Sequence, residues 1–242
     1  MSAEHTEHHG LHPTPTQVYS MSKLGMWIFL ATEILLFAGL FTTYAVYRYR
    51  YAEMFHEAHH FLSVPFGTAN TILLLTSSFT VAWAVDAIKR NQRQLTNWLL
   101  VITLALGAGF MVNKGMEYIH KTHPVAMKKS TIAPEYAKAL EDAGKCNEEE
   151  CHAIPFQPWN IGKVDPKNPV FANVFFSQYF IMTGIHGLHV LIGMGVFIWV
   201  LMLGLKDKLS PDWMTPVEVS GLYWHLVDII WIYLFPMLYL VS

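Results

Sequence analysis

Charge is what this sequence has least of. Asp, Glu, Lys and Arg together make up 14% of its 242 residues, while 53% are hydrophobic; a soluble domain carries about 25% charged residues. Such a chain cannot hide its apolar surface in water. The formal net charge of -2 leaves no basic face for nucleic acid and no acidic block of the kind found in disordered tails. The first twenty residues lack both an apolar stretch and a small-residue cleavage site, which argues against a cleaved secretory signal; the first apolar helix is expected to target the chain. No internal repeat is visible, so the sequence gives no support to a small transporter built around a midplane site.

What is present is a series of long apolar runs. About 20 helical residues cross a hydrocarbon core of about 30 Å, and five runs qualify. They predict an all-α membrane protein, a five-transmembrane-helix bundle, with helices at about 24–47, 66–88, 95–118, 170–204 and 217–241. Residues 1–22 read as a polar tail and 23–242 as a single membrane domain. The fourth run is longer than a crossing requires and should tilt or project. The short basic link at Lys89, Arg90 and Arg93 implies an antiparallel hairpin of the second and third helices. Gly107, Ala108 and Gly109 suit close approach of helix backbones in lipid.

The segment at about 119–169, with seven lysines, six prolines and both cysteines, is too polar to span and is the one sizeable extramembrane loop. Within it PEYAKALEDAG predicts a short surface helix, with Pro134 in its first turn and Gly144 at its end. Positive charges conflict over topology. Lys23, Lys89, Arg90, Arg93, Lys206 and Lys208 lie on one side, and Arg48, Arg50 and the loop lysines on the other; weighting the short loops makes the first group cytoplasmic.

Ionisable groups inside the spans are candidate functional residues, because burying them in lipid is costly. Glu33 stands ten residues past Lys23, about 15 Å along a helix and near the midplane. His186 and His189 are three apart, as are His225 and Asp228, so each pair shares one helical face. Similar depth allows a hydrogen-bonded network of Glu33, His225 and Asp228. Simple helix-to-helix ties, proton conduction, and haem ligation by His186 or His189 with His225 are the alternative readings.

CNEEECH places Cys146, Cys151 and His152 at a spacing related to the C-x-x-C-H haem attachment motif. A disulfide between Cys146 and Cys151 is the preferred reading, with haem attachment and two free thiols as alternatives. His5, His8, His9 and His12 in the tail, and His56, His59 and His60 in the first loop, read as solvated surface rather than metal ligands. Trp213, Tyr223 and Tyr239 fit an interfacial aromatic belt.

These residues resemble subunit III of the haem-copper respiratory oxidases. TGIHGLHVLIG and YWHLVDIIWIYLFPMLY are similar, almost position by position, to that family's last two helices. GMWIFLATEILLFAGLF resembles its third helix, which puts Glu33 on the family's membrane-buried carboxylate. NTILLLTSSFTVAWA and the segment ending in MEY, with Glu117, resemble the next two. The first two helices of the seven-helix form are therefore missing, as in bacterial five-helix members of both the cytochrome c and the quinol oxidase type. Glu33, where the quinol enzymes tend to carry a shorter acid, leans towards cytochrome c.

The resemblance implies a non-catalytic subunit that binds no haem, copper or other metal itself. Haems and copper belong to partner subunits, with subunit I the main contact and subunit II and smaller subunits nearby. Glu33, Glu117, His186, His189, His225 and Asp228 then form buried polar, lipid or subunit contacts; bound phospholipid is expected, and membership of a respiratory supercomplex is left open. Two helices that wall the family's lipid cleft are absent, so that cleft needs another subunit to complete it. The family's orientation places the amino terminus in the cytoplasm and the long loop and carboxyl terminus on the outer face of a bacterial inner membrane. An independent membrane haem protein carrying electrons is the reading from another class, supported by the paired histidines alone.

Overall fold

The fold is seen in a computed structural model, which describes residues 15–52, 55, 62–122, 125–128, 138, 141–142, 150–153 and 170–240. Five long helices carry the architecture: α1 (Pro15–Arg50), α2 (Val64–Lys89), α3 (Arg93–Thr122), α4 (Val170–Leu205) and α5 (Thr215–Phe235). All five are long and apolar enough to cross a membrane. The chain is thus an all-α, multi-pass membrane protein, as its hydrophobic runs predict. A π-helical turn, Pro236–Leu240, continues α5. Two short antiparallel strands, β1 (Val125–Lys128) and β2 (Glu150–Ala153), pair within the long connection between α3 and α4, with Met127 opposite Cys151. No pattern in the loop sequence predicts that pair.

Helix ends differ from expectation in one substantive place. α1 begins at Pro15 rather than near Leu24, so the last third of the polar tail is helical and α1 reaches 36 residues. Proline suits a first turn, where its missing N–H leaves no bond unmade. α4 is also 36 residues long, about 54 Å at about 1.5 Å per residue, and overshoots a single crossing as expected. Most of the helix expected at 134–144 lies outside the described residues; Lys138, Glu141 and Asp142 within it are helical.

α2 and α3 form the anticipated hairpin and share the most extensive helix contact. α4 packs against α3 and α5, and α5 also touches α2 and α1. That leaves α5 central, with 56% of its most apolar stretch buried against 11% for α1. Both turns at one end of the bundle close without glycine. Asn91 (φ 59°) and Asp207 (φ 55°) take the left-handed conformation just past α2 and α4. Gln92 N–H then bonds the Ala87 carbonyl at 2.9 Å, and Lys208 N–H bonds that of Leu203 at 3.1 Å, the Schellman pattern. Asn and Asp tolerate this backbone better than other residues with a Cβ. These turns define the basic end of the bundle; the long connection leaves from the opposite, loop end.

Two glycines set how closely α5 is approached. A Cβ on Gly193 of α4 would stand 2.8 Å from Trp224 Cε3, and one on Gly67 of α2 would stand 2.7 Å from Phe235 Cε2. Gly107 does the same more gently, 3.2 Å from Trp224, whereas Gly109 meets Leu73 at an ordinary 3.7 Å. Of the small residues singled out from sequence, Gly107 is therefore the one that admits a large ring. Trp224 is fully buried and fixed by its Nε1–H bond to Ser77 Oγ at 2.9 Å, so it cannot swing aside freely. Gly193→Ala is expected to destabilise the bundle by about 1–3 kcal/mol, the usual range for overpacking. Thermal unfolding in detergent measures this, and a variant as stable as the parent would show that the α4–α5 contact yields.

Candidate functional site

The polar groups of the spans gather at three levels of the bundle. At the loop end, Lys114 and Glu117 are one turn apart on α3 and both are buried. Lys114 Nζ donates to Glu117 Oε2 at 2.9 Å, to Tyr179 Oη on α4 at 2.7 Å and to Tyr239 Oη at 2.8 Å, which uses all three of its protons. Tyr239 Oη also donates to Glu117 Oε1 at 2.7 Å. The ammonium lies 4.7 Å from the Tyr179 ring centroid and 5.1 Å from that of Trp231, within cation–π range. The π turn after α5 carries Tyr239 into this cluster. A neutral pair with saturated donors, enclosed by aromatic rings, is a way to hold two charges in hydrocarbon.

At mid-depth, His189 of α4 binds Glu33 of α1, Nε2 to Oε2 at 2.7 Å. Its Nδ1 lies 2.7 Å from the Ile185 carbonyl, which can only accept, so Nδ1 carries a proton. One further proton therefore lies in the His189–Glu33 bond, shared either as a neutral carboxyl to imidazole or as an ion pair. Tyr223 Oη donates to the His189 carbonyl at 3.1 Å. His186 lies elsewhere: fully buried, it packs edge-on to Phe110 and beside Trp231, with no hydrogen-bond partner for either ring nitrogen. Trp231 Nε1–H in turn bonds Thr71 Oγ1 at 3.1 Å.

The network anticipated among Glu33, His225 and Asp228 is not formed. His225 Nδ1 pairs with Ser78 Oγ on α2 at 2.7 Å, and neither oxygen of the buried Asp228 makes a hydrogen bond to His225 or Glu33. Glu33 goes instead to His189 because α1 packs on α4 and α5, away from the α2–α5 seam that Ser78 and His225 occupy. His186, His189 and His225 accordingly have three different surroundings, and no two of them turn to a common site. Among the described residues no three His, Cys, Asp or Glu side chains come together as a metal-holding group. Cys146, the tail histidines and His56, His59 and His60 lie outside the described residues.

At the basic end, Glu218 of α5 is buried beneath three partners. Lys23 approaches at 3.2 Å, Lys89 at 2.9 Å, and Tyr19 Oη donates at 2.7 Å. Lys23 and Lys89 read from sequence only as topology markers, and Glu218 did not stand out, being close to a helix start. Lys114 was also missed, although a lysine three residues before Glu117 in an apolar run is a signal in itself. Of the three aromatics assigned to an interfacial belt, Tyr239 is fully buried in the Lys114 cluster and Tyr223 is buried against His189; Trp213 alone is exposed, at 45%. The two tyrosines sit on the face of α5 that meets other helices, so depth alone misassigned them.

Removing one member of the buried pair should cost far more than removing both. Lys114→Met leaves Glu117 buried without its counter-ion, with Tyr239 Oη still donating to it, and is expected to destabilise by about 3–5 kcal/mol, whereas Lys114→Met with Glu117→Leu should recover most of that loss. A double-mutant cycle read by unfolding in detergent makes the comparison. A loss in the double variant equal to the sum of the two single losses would mean that the pair carries no coupling.

The family model described as cytochrome c oxidase subunit III matches residues 1–129 and 166–242. A protein named quinol oxidase subunit 3 from Bacillus spizizenii is 31% identical, over 99% of this chain and 98% of its own length. Cytochrome c oxidase subunit 3 of Corynebacterium diphtheriae is 30% identical over 92% and 89% of the two chains. Cytochrome bo(3) ubiquinol oxidase subunit 3 of Pseudomonas putida is 27% identical over 92% and 86%. With its five helices, its paired histidine motifs and a match spanning both ends of the sequence, the chain belongs to the cytochrome c oxidase subunit III family.

Proposed function

We propose that this chain is the non-catalytic subunit III of a proton-pumping respiratory terminal oxidase in a bacterial inner membrane, taking part in electron transfer from cytochrome c to oxygen. It packs against subunit I, which holds the redox centres together with subunit II, and it supports sustained proton uptake and binds phospholipid. The observation that carries this reading is where the polar groups go. Glu33, Lys114, Glu117, His189 and Glu218 each bind across to another helix or along their own, and so brace a bundle instead of converging on an open site. The basic turns at 90–93 and 206–208 support a cytoplasmic basic end, with the long loop outside. There a bridge between Cys146 and Cys151 suits the oxidising face.

Quinol is the second electron donor to consider, and one finding favours it: two Bacillus relatives, at 31% and 30% identity over 99% of this chain, carry the name quinol oxidase subunit 3. Donor assays on the purified complex separate the two.

Gentle extraction is expected to bring the chain down with haem-bearing subunits, while the chain purified alone shows no haem absorbance. Haem retained by the isolated chain would reject the reading in favour of an independent electron carrier. Within the assembled oxidase, Glu33→Gln keeps a donor for His189 Nε2 and should leave assembly intact while removing a carboxyl that a hydrophobic carbodiimide can label. Undiminished labelling in that variant would exclude Glu33 as the reactive acid.

A further inference from the structure

His225 has one ring nitrogen held by a neighbouring helix and the other left open. It stands ten residues along α5 from Thr215, about 15 Å into a core of about 30 Å. Its Nδ1 is held by Ser78 Oγ at 2.7 Å, but its ring is part-exposed and its Nε2 has no hydrogen-bond partner among the described residues. Exposed threonines of the spans are not left in that state. Thr42, Thr43, Thr68 and Thr76 are exposed, and each donates to the carbonyl four residues back on its own helix. An imidazole nitrogen has no such resort. Whichever of the two donates in the Ser78–Nδ1 bond, Nε2 is left as an unmet hydrogen-bonding atom at the middle of the membrane, a donor in one tautomer and an acceptor in the other.

The surroundings suit a helix rather than lipid. α5 is covered by α1, α2 and α4 and leaves open a strip along which His225, Ile229 and Ile232 succeed one another at helical spacing. Ile229 is 50% and Ile232 41% exposed, and Leu75, one turn from Ser78 on α2, is 49% exposed. Acyl chains carry no acceptor, and headgroups lie about 15 Å away from this depth. We propose that this α2–α5 edge is the surface on which the chain docks its neighbouring membrane subunit, a transmembrane helix of which presents a hydrogen-bonding group to His225 Nε2. The proposal rests on the reading of the chain as an oxidase subunit and adds to it the face and the contact.

A photoreactive p-benzoylphenylalanine is introduced at position Ile229, and separately at Leu191, an equally exposed residue of α4; the oxidase is irradiated in native membranes and its adducts are identified. The expected result is a cross-link from position 229 to the haem-bearing subunit in several-fold excess over position 191. An equal or greater yield from position 191, an adduct to a second copy of this chain, or adducts to lipid alone would overturn the assignment of the face. A parent chain that extracts free of any haem-bearing subunit would instead overturn the subunit reading, and the docking face with it. His225→Leu is expected to lower co-elution with the haem-bearing subunit by about tenfold, the value of one interhelical hydrogen bond, while His225→Gln, which keeps a donor, retains it. Unchanged co-elution for His225→Leu would remove His225 from the contact.

Discussion

A polar side chain in hydrocarbon has no water to turn to, and the helices of this bundle are held in register by the pairs that result. α1 shows the constraint most plainly. Its protected positions include eight, Tyr19, Lys23, Met26, Leu30, Glu33, Phe37, Leu40 and Tyr44, spaced alternately by three and four residues in the manner of a coiled-coil seam. Four of the eight are polar, and each reaches another element: Tyr19 and Lys23 meet Glu218, Glu33 meets His189, and Tyr44 Oη donates to the Met237 carbonyl at 2.7 Å. Apolar packing in lipid gives a helix little reason to prefer one rotation over another. Polar contacts near both ends and at mid-depth supply that reason for a helix whose apolar cover is slight.

The other four helices combine this device with shape. α5 brings its large rings against small residues, Trp224 onto Gly193 and Gly107 and Phe235 onto Gly67, and secures two indole N–H groups on the α2 hydroxyls of Ser77 and Thr71. Ridges and hydrogen bonds therefore agree on one register. The Lys114 cluster closes the loop end of the same interface, where the π turn rotates Tyr239 towards α3. His186 and Asp228, buried without hydrogen bonds, sit within this packed region, and His186 lies among aromatic rings.

Span number, span position and the α2–α3 hairpin were legible because hydrophobic length is a direct consequence of bilayer thickness. Which face each helix buries was not. In a soluble protein the eight seam positions of α1 would stand out against polar neighbours; here the intervening residues include Trp27, Ile28, Leu35 and Leu36, all apolar and exposed. The contrast that periodicity depends on vanishes when lipid is the solvent. Glu33, His189 and Glu117 were found because ionisable groups are conspicuous in apolar runs, yet their partners depend on which helices adjoin, which spacing along one helix does not encode. That is why Glu33 was matched with His225 by depth and is found on His189. The strand pair of β1 and β2 escaped notice because four-residue strands in a polar loop leave almost no pattern.

The pairing of distant helices has a consequence for how the chain is made. Tyr19 is separated from its acceptor Glu218 by 199 positions, and Glu33 from His189 by 156. At roughly 5–20 residues per second, α1 waits on the order of ten seconds or more in the bilayer before the helices that complete its seam exist. During that interval its carboxylate has only lipid, water defects or the insertion machinery for company. The helix that enters ahead of the other four is thus the one secured last, and the bundle closes around it from its carboxyl-terminal half.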